Sequence, residues 1–420
     1  MTDSKSTDRF LSAARSIINT HLDSLGQSIY TDVNRVIHSN PELVYKEFIA
    51  HDTLSSYLEK QGYTVTRKAH GLHTSFEAEF GSGGRIVVLC AEYDALPGIG
   101  HACGHNLVAT SSLAAFLGAA RVLLDLGLAG RVRILGTPAE EGGGGKVKLI
   151  EAGAFNPPPG EPPIAGAFMV HPMSADSLGL GSYAGLAGWR LIASEKLRVE
   201  FRGRTAHAAG DPWNGLNALD AAVVAYNNIA MLRQQIRPDE RIHGVFEDGG
   251  AAPNVVPECT RMNWCVRSST VKRSRLLLER VKKCFEAGAL AAGCEVNYIP
   301  SLSYMDLRVN NTLSETYVEE MALLGETFLP REIHPKGFGS TDMGNVSYTV
   351  PSFHGAFVIP VSSGVACHNP DFAAAASTQE AHDIAIKSAK GLAMLAVRVL
   401  VEEGVAEGAR RDFEREEDDA

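Results

Sequence analysis

The 420-residue sequence has no excess of basic charge, no regular cysteine framework and no internal repeat. Each absence removes a class of function. With 39 Lys and Arg against 49 Asp and Glu, the formal net charge is −10. Nothing here offers the clustered basic face that nucleic acid requires. No run reads as reaching the roughly 18 apolar residues of a membrane helix, and the most apolar C-terminal stretch is interrupted by Arg398. The N-terminal MTDSKSTDRF carries acids and no apolar core, so it does not read as a signal peptide. Seven cysteines, an odd number without repeated spacing, fit free thiols in a reducing compartment. These features predict a cytoplasmic protein with neither a nucleic-acid nor a membrane partner. The acidity itself says little about a substrate, because an acidic surface serves solubility alone.

What remains is an ordinary globular composition, 45% apolar and 21% charged. The length is about three times that of a common domain, which predicts two domains. Residues 9–38 and 47–62 have helical periodicity on either side of Asn40-Pro41. Four apolar runs then end on polar residues. RIVVLCA (85–91) leads to Glu92 and Asp94, VRILGTP (132–138) to Glu140 and Glu141, AGAFMV (165–170) to His171, and GAFVIP (355–360) to Cys367 and His368. Such runs, separated by helical stretches, predict buried strands of a mostly parallel sheet with helices on both faces. In sheets of this kind ligands bind beyond the carboxyl ends of the strands. The middle of the chain instead reads as β-α-β-β-α-β, an α+β layer. The expected division is therefore a catalytic domain formed by 1–187 and 299–420, interrupted by an inserted domain at 188–298.

HACGHN (101–106) is the sharpest motif. Cys103 and His105, two apart, would face nearly opposite ways on a helix, so they can share a metal only in a loop or at a helix entry. The same segment also reads as a buried thiol beside a capping histidine. In PAEEGGGG (138–145), an extended backbone would point the two carboxylates apart, one toward a metal and the other toward a water. Taken alone, a Glu-Glu pair is usually a solvated turn, and a lone His171 or His368 more often a hydrogen-bonded structural residue. The expected sheet brings these signals together. Cys103, His105, Glu141, His171 and His368 then form five candidate ligands, more than a single open zinc site needs. Two metals sharing a ligand would use all five, with Glu92 and Asp94 free to orient the imidazoles. In the inserted domain, His207, Asn254 and Arg267 stand in RTAHAAGD, PNVVPE and WCVRS. Asn254 also reads as a turn residue and Arg267 as half of a surface ion pair.

The series AEYDALPG, HACGHN, PAEE, VHP, TAHA, PNVVPE and GSTDMGNVS, in that order, resembles the aminoacylase/carboxypeptidase family of co-catalytic metallopeptidases. Its nearest likeness is the amidohydrolase branch that contains indole-acetyl-amino-acid hydrolases, aminobenzoyl-glutamate hydrolase and a beta-alanyl-lysine dipeptidase. The resemblance spans about residues 30 to 385. It implies an α/β catalytic domain, an inserted α+β lid that commonly forms a homodimer interface, and two divalent metal ions, zinc first and manganese or cobalt next. The ligands would be Cys103 as the bridge, His105, Glu141, His171 and His368. Glu140 matches the general base and His207 a histidine that stabilises the oxyanion in a partner subunit's site. Asn254 and Arg267 match positions that hold a substrate carboxylate, and the loop 337–345 lines the substrate. Many relatives carry Asp where this chain has Asn106, which puts the charge around the metals in question. The implied activity is hydrolysis of the amide or peptide bond of a small N-acyl amino acid or dipeptide. Amide formation or acyl transfer at the same site is the alternative.

Overall fold

The computed structural model describes residues 4–332 and 339–415. It divides into two compact units. One comprises Met1–Arg190, Arg308–Pro335 and Asn345–Ala420, and the other Leu191–Leu307 with a short return segment ending at Gly344.

Twelve strands can be followed among the described residues. In the larger unit they are β1 (Val65–Arg67), β2 (Phe76–Ser82), β3 (Ile86–Ala91), β4 (Gly130–Gly136), β5 (Ile164–Met173), β6 (Gly185–Leu186), β11 (Phe328–Leu329) and β12 (Ser352–Val358). In the smaller unit they are β7 (Ala193–Arg202), β8 (Arg241–Asp248), β9 (Cys259–Ser268) and β10 (Glu295–Pro300).

The eight strands of the larger unit form one sheet in the order β1-β2-β4-β3-β5-β12-β6-β11. The expected mostly parallel α/β architecture holds. The central block β4-β3-β5-β12 is parallel throughout, and antiparallel pairing is confined to β1 and β2 at one edge and to β6 against β12. Strands β3 and β4 are buried along their whole length, as strands covered on both faces must be. The expected run at 165–170 extends to Met173, so His171 lies inside β5 rather than after it.

Helices His105–Leu126, Gln379–Val401 and Ser4–Ile29 pack with one another in the main core. Helix His105–Leu126 is long and apolar enough by composition to cross a membrane, although the sequence reading found no such run. Its small residues, Ala109, Ala115, Gly118 and Ala119 among them, are instead buried in the protein core.

The smaller unit has the β-α-β-β-α-β order read from the sequence, with the strands in the antiparallel order β10-β7-β9-β8. Burial alternates along β9 with the period of a half-buried strand. Thr260, Met262, Trp264 and Val266 point into a core shared with helices Ala218–Leu232 and Val271–Ala292, while Arg261, Asn263, Cys265 and Arg267 take the opposite face. Strand β8 is an edge strand, and it leaves Val245 and Phe246 exposed.

Candidate metal centre

Polar residues of the larger unit gather at the carboxyl ends of its central parallel strands. Strand β3 leads into Glu92 and Asp94, both buried. The Asp94 carbonyl oxygen accepts from His105 Nδ1 at 2.8 Å, and the Asp94 carboxylate stands beside the same ring, Oδ1 lying 3.2 Å from Nδ1. A carbonyl can only accept, so Nδ1 carries the ring proton and the lone pair of a neutral His105 sits on Nε2. That nitrogen is buried and has no hydrogen-bond partner among the described residues. Glu92 Oε2 is 3.7 Å from it, while Glu92 Oε1 pairs with the fully buried ammonium of Lys146.

Cys103 and His105 flank Gly104, which starts helix His105–Leu126 with φ +77. A Cβ on Gly104 would stand 2.5 Å from Pro172 Cγ, so only glycine fits. This turn lets residues two apart face one centre, as the sequence required. His171 donates from Nδ1 to the Pro172 carbonyl at 2.8 Å, and its Nε2 stands 3.6 Å from Cys103 Sγ.

The Glu140-Glu141 pair departs from expectation. It does not lie in an extended segment. Ala139, at φ 63, turns the chain into a tight irregular turn, Glu140–Gly143, whose backbone is non-helical at Glu141 and Gly142. The glycines that follow serve the protein's own backbone, since a Cβ on Gly145 would overlap the Pro138 carbonyl oxygen. Glu141 reaches His368, its Oε1 lying 3.3 Å from Nε2. His368 itself has a left-handed backbone, φ 66, and its amide donates to the Ala102 carbonyl at 2.9 Å.

Three donor groups result, the atoms of each lying within 4.8 Å of one another: Cys103 with His105 and His171, Cys103 with Glu141 and His368, and His105 with Glu140 and Glu141. The first two share Cys103 and together contain all five residues singled out as ligands. A thiol, three imidazoles and a carboxylate, with an orphaned imidazole nitrogen among them, fit transition-metal cations.

The metal-free electrostatics show how strongly this cluster is held. Burial, helped by the charge of His105, pushes His171 down to about 4, so its ring is neutral. Burial opposes a proton on His105, but the hydrogen bond and charge of Asp94, with Glu92 and Glu141, hold it well above the ordinary value. The hydrogen bond that the Cys103 thiol gives to the Cys367 sulfur, together with burial, holds that thiol high.

Asn106 does not face the donors. Its amide donates to Asn34 Oδ1 and to the Ala376 carbonyl at 2.8 and 2.9 Å, pinning the first helix turn to the core.

In the smaller unit, His207 and Asn254 lie in paired loops. His207 forms a bridge with Val255, and the Ala208 amide donates to the Asn254 carbonyl. The amides of Ala209 and Gly210 donate to His207 Nδ1 at 3.2 and 3.0 Å. A neutral His207 therefore carries its proton on Nε2, as a donor. Arg267 donates to His243 Nε2 and to Ser340 Oγ. Residues 337 and 338 of the loop expected to line the substrate lie outside the described residues.

The family pattern of peptidase family M20/M25/M40 matches residues 88–390. The chain belongs to that family. As a member it is a hydrolase of amide or peptide bonds, a metallo-dipeptidase or amidohydrolase. It is 38% identical to the Xaa-Arg dipeptidase of Mus musculus over 396 residues, 91% of this chain and 88% of that one. It is 27% identical to one of the polypeptides of p-aminobenzoyl-glutamate hydrolase from Escherichia coli, covering 92% of each chain. Among solved structures, a Bacillus subtilis protein described as a dinuclear metal binding peptidase of the M20 family superposes with a TM-score of 0.63. It is 21% identical, over 90% of this chain and 99% of that one.

Four residues of the centre's surroundings escaped the sequence reading. Lys146 carried no signal beyond its place after a glycine run. Glu47 carried no signal beyond its place after Asn40-Pro41. Trp189 and His354 sit in the second circle of rings, their centroids 6.0 and 6.1 Å from that of His171. His354 belongs to β12, which pairs with β5, a neighbourhood only the sheet order reveals.

Proposed function

We propose that this M20 enzyme hydrolyses the amide bond of a small N-acyl amino acid or dipeptide bearing a free carboxylate. The observation that carries the reading is the pair of donor groups sharing Cys103, with Glu140 beside them. Cys103, His105 and His171 would hold one divalent ion, and Cys103, Glu141 and His368 the other. Zinc, or else manganese or cobalt, would supply the charge that polarises the scissile carbonyl and makes water acidic near neutral pH.

The remaining steps belong to the chain. Glu140 takes the proton from the attacking water and delivers it to the leaving amine, a contribution of about 10²- to 10⁴-fold. His207 donates from Nε2 to the developing oxyanion, worth about 3 kcal/mol. The planar fork of Arg267 grips the substrate carboxylate, with Asn254 assisting. The likeness to Xaa-Arg dipeptidases makes dipeptides ending in arginine the first substrates to try.

The smaller unit serves in this reading as the lid and dimerisation domain, with 188–298 as its core. The exposed edge strand β8 supports a homodimer, because an unpaired apolar edge is a template for a second strand. All seven cysteines are free, which supports a reducing, cytoplasmic setting.

The test is Glu140→Gln assayed on alanyl-arginine with zinc, manganese or cobalt added. Full metal content with turnover abolished supports the reading, and near-normal hydrolysis removes Glu140 from its role.

A further inference from the structure

Among the described residues, two of the five non-glycine residues with a left-handed backbone are Tyr45, at φ 59, and Ala139, at φ 63. They are far apart in sequence, yet one oxygen serves both. Glu47 Oε1 accepts the amide of Tyr45 and the amide of Ala139, each at 2.9 Å. Its other oxygen accepts the Thr74 hydroxyl at 2.8 Å. Glu47 is completely buried.

The next amides along are held by a second carboxylate. The Glu141 amide donates to Asp94 Oδ2 at 2.9 Å, and the Glu140 backbone also bonds to that side chain. Three consecutive amides, those of residues 139, 140 and 141, are thus held by two buried carboxylates. Asp94 also fixes His105, so it has a duty at the metal centre. The Glu47 side chain bonds to Tyr45, Thr74 and Ala139 and, among the described residues, to none of the five donors. Its hold falls on the one residue, Ala139, whose conformation aims the turn that carries Glu140.

We infer that Glu47 is a positioning residue for the general base: by holding Ala139 left-handed it sets the orientation of Glu140. This rests on the reading of Glu140 given above. A left-handed alanine is disfavoured on its own, and a buried acceptor for its amide is what keeps it there. Glutamine can supply the same acceptor, because the Thr74 hydroxyl can turn to accept from the new amide group. Glycine at 139 would take the left-handed conformation without help.

The experiment uses the full-length, metal-loaded protein and alanyl-arginine. Glu47→Ala is expected to lower kcat at least about 10-fold, with KM within about twofold and metal content retained. Glu47→Gln should stay within about threefold of the parent. In an Ala139→Gly background the loss caused by Glu47→Ala should shrink markedly, a coupling that general destabilisation would not produce. Should Glu47→Ala fail to fold, Glu47→Asp keeps the charge but is too short to span both loops, and the same kcat loss is expected of it. An unchanged kcat per metal-loaded site, or a loss identical in the Ala139→Gly background, overturns the proposal. Hydrogen exchange separates the two claims. Undiminished protection of the Ala139 amide in Glu47→Ala overturns the hold by Glu47, whereas a fully active Glu140→Gln overturns the assignment of the base.

Discussion

The sulfur of Cys103 lies 3.6 Å from Nε2 of His171, the nitrogen left over after Nδ1 has been spent on the Pro172 carbonyl. The same sulfur also belongs to the group formed with Glu141 and His368. A donor common to two groups has a signature that a private donor lacks. Cys103→Ala should empty both sites, whereas His171→Ala should empty one. Metal stoichiometry after dialysis, read by elemental analysis, decides it; two equivalents bound to Cys103→Ala would remove the cysteine from the bridge.

Metal binding should release protons. With the Cys103 thiol and the His105 imidazole both held above their ordinary values, each carries a proton at neutral pH in the metal-free protein. Ligation requires the thiolate and the free Nε2. Apparent affinity should therefore rise with pH between about pH 6 and pH 8. Calorimetric titration in buffers of different ionisation enthalpy counts the protons, and a value of zero would contradict the protonation states described.

Lys146 and Glu92 form an ion pair with no exposure on either side. Lys146→Met would leave the buried Glu92 carboxylate with only the more distant His105 ring, 3.7 Å away, to offset its charge, at a cost of up to about 3–5 kcal/mol. Urea unfolding of the metal-free protein should show that loss, and adding Glu92→Gln should recover most of it. A loss below about 1 kcal/mol would mean that the pair is dispensable.

Burial, helped by the charge of Asp94, raises Glu47 to about 7 in the metal-free protein. A carboxyl raised in the folded state binds more protons there than when unfolded. Its contribution to stability is greatest at low pH and declines as pH rises from the unfolded value, near 4.5, through about 7. Relative to Glu47→Gln, which stays neutral, the parent should lose stability across that window. Parallel melting curves for the two proteins would contradict the shift.

If β8 is the dimer edge, Val245→Glu should convert a dimer to a monomer in sedimentation without unfolding the smaller unit, since Val245 is 61% exposed. An unchanged sedimentation coefficient would place the contact elsewhere, or show that there is none.

The sheet and its polar strand ends were legible because buried strands write themselves as continuous apolar runs, and because Cys, His and Glu carry chemistry wherever they stand. The β-α-β-β-α-β order of the smaller unit was legible for a similar reason, as in the alternation of β9. What escaped depends on pairing across the sheet. Lys146 looks like any surface lysine until β3 and β4 are side by side, and His354 gains meaning only because β12 lies next to β5. Glu47 accepts from an amide 92 residues away, and no local pattern encodes that reach. The Glu-Glu turn was misread for a different reason, because the left-handed Ala139 has no sequence signature; a glycine there would have announced it.

The contact between Gly104 and Pro172 involves no donor at all. Yet Gly104 separates Cys103 from His105, and Pro172 follows His171, so this bare van der Waals contact acts as the gauge across which three donors face each other. Two residues that ligate nothing thus stand at the point where the donors' backbones approach each other. Any side chain at 104 would force Pro172 or the turn itself to move, and the spacing of the three donors with it.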